Sequence, residues 1–278
     1  MKWNIITDSS CDLYHLDEYS EKIRFASIPF IINIENRDFV DDEKLNTAEM
    51  VAVMDKCREV SHTSCPAPYA WYEQFEKEEY SIAITISSKL SGSYNSACTA
   101  RNMILEKYPD KKIAVIDSRS TGSEMVLIVM KLCKLINAGY DFNSVIEKTE
   151  QYMKHTHIVF ALSSFDNLIN NGRMSRITGF LAGKLGFLGI GIGSEQGTIE
   201  IKEKVRGNKK ALNAILKDIK ERAADIETVV ISHCQNAEFA ESLKNAIQNI
   251  CHTVEVKIMP TRGLCSYYAE KGGLIIGF

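Results

Sequence analysis

The chain has 278 residues, of which 45% are hydrophobic and 25% charged, with a formal net charge of −3. That length suits one large domain or two of ordinary size, and the apolar share excludes an intrinsically disordered chain. The mild acidity speaks against a nucleic-acid binder, which usually carries a basic face.

Short β-branched runs alternate with helical patterns in the first half. WNIIT (3–7), YSIAITI (80–86) and KKIAVID (111–117) read as strands. A Pro-bounded turn opens a helix over Tyr69 to Lys77, whose Tyr69, Trp71, Tyr72 and Phe75 suit a core or a pocket wall. After 80–86 a Ser/Gly corner leads into a helix with Ala97, Ala100, Ile104 and Tyr108 on one face. The next helix shows Met125, Ile128, Val129, Leu132 and Ile136 at helical spacing and stops at Gly139. Near-continuous apolar strands alternating with helices predict a parallel sheet covered on both faces.

The second half reads as α+β with a more antiparallel sheet. Strands are expected at HIVFAL (157–162), TIEIKEKV (198–205), TVVISH (228–233), VEVKIM (254–259) and GLIIGF (273–278). Helices are expected around Phe165 to Asn171, over 211–219 and from Ala237 to Ile250. The fold class is therefore α/β with two domains, 1–155 and 156–278. The most apolar segment, FLAGKLGFLGIGIG, falls short of the about 20 residues that span a bilayer. The eight cysteines form no CxxC pair and no zinc-ligand spacing, and no histidine pair suits a metal. Scattered thiols and a chain that opens directly into a strand-like run predict a cytoplasmic protein.

Four constellations hold side chains able to do chemistry. DSSCDL (8–13) follows the first strand, where ligands of open α/β sheets sit, although Asp8, Ser9 and Ser10 also suit a plain turn cap. HTSCPAP (62–68) sets Thr63 and Ser64 before a helix. SSKLSGSYNSA (87–97) surrounds Gly92 with serines; its unpaired amides and hydroxyls at a helix N-terminus predict an anion site. It lacks the P-loop, dinucleotide and GxSxG patterns. NNGRMSR (170–176) offers Arg173 to an anion or to a partner's acid.

In this order the four motifs resemble the DegV family of bacterial proteins. Asp8-Ser9-Ser10-Cys11-Asp12-Leu13 matches its D-S-x-x-D-L, Thr63-Ser64-Cys65-Pro66 its T-S-x-P, Ser87 to Ala97 its S-S-x-L-S-G-[ST]-Y-x-S-A, and Gly172-Arg173-Met174-Ser175 its G-R-[IM]-S. The resemblance implies a DegV-like pair of α/β domains holding a long-chain fatty acid between them. In some members the acid is presented to a separate kinase subunit that makes an acyl phosphate for phospholipid synthesis. By position, Thr63, Ser64, Ser91, Gly92 and Ser93 look like the carboxylate cradle, and Arg173 like a head-group or kinase contact. The resemblance implies no cofactor beyond the bound acid, no nucleic acid and no membrane insertion. The chain departs from the pattern at Ala67, where many members have Ser or Thr. It departs again at SYYAEKGGLIIGF, which lacks the family's His. Either Tyr267, Tyr268 or Glu270 takes that place or the role is missing, and a Glu there repels a carboxylate unless protonated or turned away.

Three functional readings follow. The first is a non-enzymatic fatty-acid carrier, with the glycine-rich segment Gly179 to Gly193 (Phe180, Leu181, Leu185, Phe187, Leu188, Ile190) as tunnel wall or as ordinary core. At about 0.8 kcal/mol per buried methylene, an acyl tail supplies on the order of 10 kcal/mol before entropy costs. The second is a phosphoryl- or acyl-transfer enzyme with a serine of 87–93 as nucleophile and Asp8 as base, which needs a base within about 3 Å of the hydroxyl. The third is a regulatory protein that senses lipid through domain closure.

Overall fold

A computed structural model describes residues 2–16, 21–57, 59–175, 186–222 and 226–278. In chain order the elements begin β1 (Trp3–Asp8), β2 (Ile23–Ile28), β3 (Ile31–Ile34), β4 (Arg37–Val40), α1 (Thr47–Met54), β5 (His62–Ser64) and α2 (Pro68–Phe75). There follow β6 (Tyr80–Thr85), α3 (Ser93–Lys107), β7 (Lys112–Asp117), α4 (Gly122–Asn137), α5 (Phe142–Met153), β8 (Ile158–Leu162) and α6 (Asp166–Asn170). The chain closes with β9 (Phe187–Gly193), β10 (Ile199–Arg206), α7 (Asn208–Arg222), β11 (Thr228–His233), α8 (Ala237–Ile250), β12 (Glu255–Pro260), α9 (Gly263–Ala269) and β13 (Leu274–Gly277).

The strands form three sheets. The first runs β2-β1-β6-β7 and is parallel throughout, as its near-continuous apolar strands require. The second runs β10-β9-β8-β13-β11-β12, and only its β11–β12 pairing is parallel. The strands of the first all precede residue 155 and those of the second all follow it. A small antiparallel sheet, β4-β3-β5, has no counterpart in the sequence reading. Its hairpin turns at Glu35 and Asn36, both at positive φ (51° and 60°), where the usual signal is Asn-Gly or Asp-Gly.

Helix α4 joins the two large sheets. Its Met125, Ile128, Val129 and Leu132 are wholly buried in one core with Ile5, Ile82 and Ile84 of the parallel sheet and with Val230 of β11. At its N-terminus the Ser123 hydroxyl donates to the Ile275 carbonyl of β13 (2.7 Å) and accepts from the Ser232 amide (3.1 Å). A Cβ on Gly277 would lie 2.6 Å from the Glu124 nitrogen, so this glycine lets β13 pass against the helix backbone. In α3, Ala97, Ala100 and Ile104 are buried as expected, whereas Tyr108 falls just past the helix end and stays 39% exposed. In α2, Trp71 and Phe75 enter the core, while Tyr69 stacks on Tyr72 at the surface.

Because α4 belongs to both sheets, the two are expected to unfold together. Ile128→Ala should cost about 2–5 kcal/mol, seen in urea as a lower midpoint with an unchanged slope. Near- and far-ultraviolet dichroism should fall in one coincident transition.

Candidate functional site

A cleft enclosing about 830 Å³ of space, open solvent at its mouth included, lies between the sheets. Its walls are mainly apolar. Ile158, Phe160 and Leu162 line it from alternate positions of β8, and so from one face of the strand. Ile275, Leu264, Ile86 and Leu90 come from β13, α9 and the Ser/Gly corner.

Strand β9 takes part through its glycine face. Leu188 and Ile190 pack into the opposite core with Ala211, Ile215 and Leu243, and Phe187 lies beneath Lys204 and Arg206. For these three the structure corrects the tunnel-wall expectation in favour of ordinary packing. Gly193 lines the cavity instead, and Gly191 meets the Phe160 ring. Phe180, Leu181 and Leu185 lie outside the described residues.

Four of the expected site residues meet at one end of this cavity: Thr63, Ser91, Arg173 and Tyr268. The Thr63 and Tyr268 hydroxyls are 3.0 Å apart. Only one proton serves that bond, so the other is left for an incoming acceptor. Ser91 Oγ accepts from the Ser93 amide (3.3 Å), which leaves its own proton out of that bond. Arg173 is half-buried, with Nε donating to the Leu90 carbonyl (3.1 Å) and Nη1 to that of Asn171. Burial raises the Tyr268 hydroxyl above its usual pKa, and the Arg173 guanidinium pulls it partly back. The end is thus hydroxyl-rich and positively charged.

Ser64, Gly92, Ser93 and Glu270 do not reach this wall. Ser64 follows Thr63 on β5 and so points to the other face, exposed. Gly92 is the N-cap of α3. The Ser93 hydroxyl is wholly buried and donates to Asp8 Oδ2 (2.6 Å). Glu270 turns away and accepts from Ser164 Oγ (2.9 Å); burial raises its pKa. A carboxylate at Tyr268 is therefore not opposed by it.

The corner differs from its sequence reading in one respect. Its amides are mostly engaged: Ile86 N–H with Asp8 Oδ2 (3.0 Å), Ser88 with Asp117 Oδ1 (3.1 Å), Lys89 with Ser87 Oγ (3.2 Å), and Leu90 and Ser91 with the Ser87 carbonyl. The Asp8–Ser93 pair meets the distance required of a base and nucleophile, but both residues are fully buried and neither lines the cavity. Asp8 also accepts from Ser10 Oγ (2.5 Å), and burial raises its pKa. It binds the end of β1 to the corner.

The sequence reading missed Arg119 and Thr121, which also line the cavity. Arg119 sits at φ 53°, its amide held by Asp117 Oδ1 (3.0 Å), a turn that DSRSTG signals only weakly.

An apolar cavity set between two sheets, with Thr63, Ser91, Arg173 and Tyr268 together in its lining, is the arrangement of a binding protein for a small amphipathic molecule. The family model "Uncharacterised protein, DegV family" matches residues 2–278, and the chain belongs to that family. A DegV domain-containing protein of Streptococcus pneumoniae R6 is 38% identical over 278 residues, covering 100% of this chain and 99% of the relative. Among solved structures, the Streptococcus pneumoniae fatty acid kinase (Fak) B3 protein loaded with linoleic acid superposes with a TM-score of 0.96 at 38% identity, covering 100% of this chain and 99% of that one. A DegV family protein from Eubacterium eligens loaded with heptadecanoic acid gives 0.94 at 34%, covering 99% and 98%. One from Ruminococcus gnavus, refined with vaccenic acid, gives 0.92 at 31%, covering 99% of each chain. No described helix is long and apolar enough to cross a membrane.

Burial pushes the Asp12 carboxyl up from 3.8 to about 6. The folded state then holds the proton more tightly than the unfolded state, so this group favours folding most below pH about 4. That advantage disappears as pH rises to about 6, on the order of 3 kcal/mol in all. Asp12→Asn should remove this dependence. In urea titrations its stability relative to the natural chain should climb between pH about 4 and 6 and stay level above. A difference independent of pH would show that Asp12 does not titrate there.

Proposed function

We propose that the protein binds one long-chain fatty acid without transforming it. The carboxylate lies at Thr63, Ser91, Arg173 and Tyr268, and the acyl chain runs along Ile158, Phe160 and Leu162. One observation carries this reading: an apolar cavity whose end holds a Thr–Tyr hydroxyl pair beside an arginine. The Tyr268 hydroxyl supplies the donor that the missing histidine leaves open. Ser93 and Asp8 act as buried supports, not as nucleophile and base. Residues 1–155 bring Thr63 and Ser91 to the carboxylate, and 156–278 bring Arg173, Tyr268 and most of the acyl wall. The fatty acids held by the related crystal structures support the reading. The Fak B3 neighbour supports a further step, delivery of the bound acid to a separate fatty-acid kinase, and the free cysteines fit a cytoplasmic setting for it.

Mass spectrometry of the natively purified protein should find bound C14–C18 acid; neither bound acid nor uptake of added acid would overturn the reading. Thr63→Ala and Tyr268→Phe should each remove about 1.5–3 kcal/mol of carboxylate bonding, weakening affinity about tenfold or more by calorimetry. Ser64→Ala, on the outer face of β5, should leave affinity unchanged.

A further inference from the structure

The apolar wall has a graded depth. Ile158, Phe160 and Leu162 project from one face of β8, and at about 3.3 Å per residue they span about 13 Å. Leu162 ends the strand where the chain turns into α6 and on to Arg173, so it marks the polar end. Ile158 begins the strand and marks the far end.

Across from this stripe, β9 offers backbone without side chains. Phe160 pairs with Gly191, and a Cβ there would run into the Phe160 ring and come within 2.8 Å of the Glu200 carbonyl. The ring therefore lies over bare backbone, with Phe165 set edge-on against it (6.3 Å between centroids, 62°). At the far end, a Cβ on Gly193 would come within 2.7 Å of Ile158 Cγ2. That contact is with the methyl branched from Ile158 Cβ, and Gly193 does not occupy the left-handed region, so an alanine there displaces Ile158 rather than straining its own backbone.

We infer that Ile158 and Gly193 together set the length of acyl chain the cavity accepts. The glycine keeps the far end open and the isoleucine stops it. This rests on the fatty-acid reading above. A buried stop discriminates steeply, because a methylene that does not fit is refused rather than merely left unpaired. One methylene changes selectivity by roughly 10- to 200-fold in an apolar pocket.

The test measures affinities for saturated C12, C14, C16 and C18 acids in the natural chain and in Gly193→Ala, Ile158→Ala and Val159→Ala. Gly193→Ala should move the C14-to-C18 affinity ratio toward the shorter acid by roughly tenfold or more. Ile158→Ala should move it toward the longer acid. Val159 lies in the opposite core, so Val159→Ala should lower stability and leave the ratio alone. An unchanged ratio in both Gly193→Ala and Ile158→Ala overturns the inference while leaving fatty-acid binding intact. Should Gly193→Ala not fold, Ile158→Ala decides: a ratio moved toward the longer acid supports the inference, and an unmoved one overturns it. If the natural chain takes up no acid of any length, the underlying reading fails.

Discussion

The guanidinium of Arg262, 2% exposed, holds the cavity's polar end in place from a distance. Its Nη1 donates to the Leu13 carbonyl and to Ser27 Oγ, both at 2.7 Å, and its Nη2 to the Asp41 carbonyl at 2.7 Å. The Arg262 amide donates to Asp12 Oδ1 (2.9 Å). The Asp41 carboxylate in turn accepts the Gly263 and Leu264 amides, both at 2.8 Å, at the first turn of α9. This network ties the loops after β1 and β4 to the helix that brings Leu264 and Tyr268 to the cavity. An isolated buried charge costs several kcal/mol, so the network is held together by the penalty for removing any member. Gly263 is part of it, since a Cβ there would strike Leu45 and the Asp41 carboxylate.

Buried carboxylates recur at the seams between elements. Asp8 joins β1 to the corner, Asp41 joins β4 to α9, and Glu124 accepts from Ser120 Oγ (2.6 Å) and Thr156 Oγ (2.7 Å) at the start of α4. In each, desolvation raises the pKa; hydroxyl and amide donors lower it at Asp8, the Arg262 charge first and then donors at Asp41, and the two hydroxyls at Glu124. Donors directed at a carboxylate from separate elements set their relative positions more narrowly than apolar contact does, because hydrogen bonds weaken steeply off-axis.

Much of the architecture was legible in the sequence because the large sheets are built from long apolar runs. TVVISH became β11 and Ala237 to Ile250 became α8 without change of bounds. The hairpin of β3 and β4 escaped because its turn uses Glu-Asn, and α9 escaped because seven residues are too few to show a helical period. At the site, the motifs marked the right loops but not the directions of their side chains. Thr63 and Ser64 are neighbours in sequence and lie on opposite faces of a strand. The serines of the corner divide likewise, Ser91 toward the cavity and Ser93 into Asp8. Strand β9 inverts the intuition that apolar residues mark an apolar wall: its leucine and isoleucines fill one core while its glycines leave room on the other side.

That the corner satisfies most of the amides ahead of α3 bears on how an amphipathic ligand is held. A phosphate loop keeps its N–H groups free for the ligand, so most of the affinity resides in the anion. Here the amides of Ile86 and of Ser88 to Ser91 are taken by Asp8, Asp117 and Ser87, and the side chains at the polar end offer a few hydroxyls and a partly engaged guanidinium. Such an end contributes a few kcal/mol and fixes orientation, whereas a buried acyl chain contributes about 0.8 kcal/mol for every methylene. The affinity then lies in the apolar tail. On the proposed placement the head would be lightly held at the end lined by Ser91 and Arg173, as a bound carboxylate must be if a second protein is to act on it.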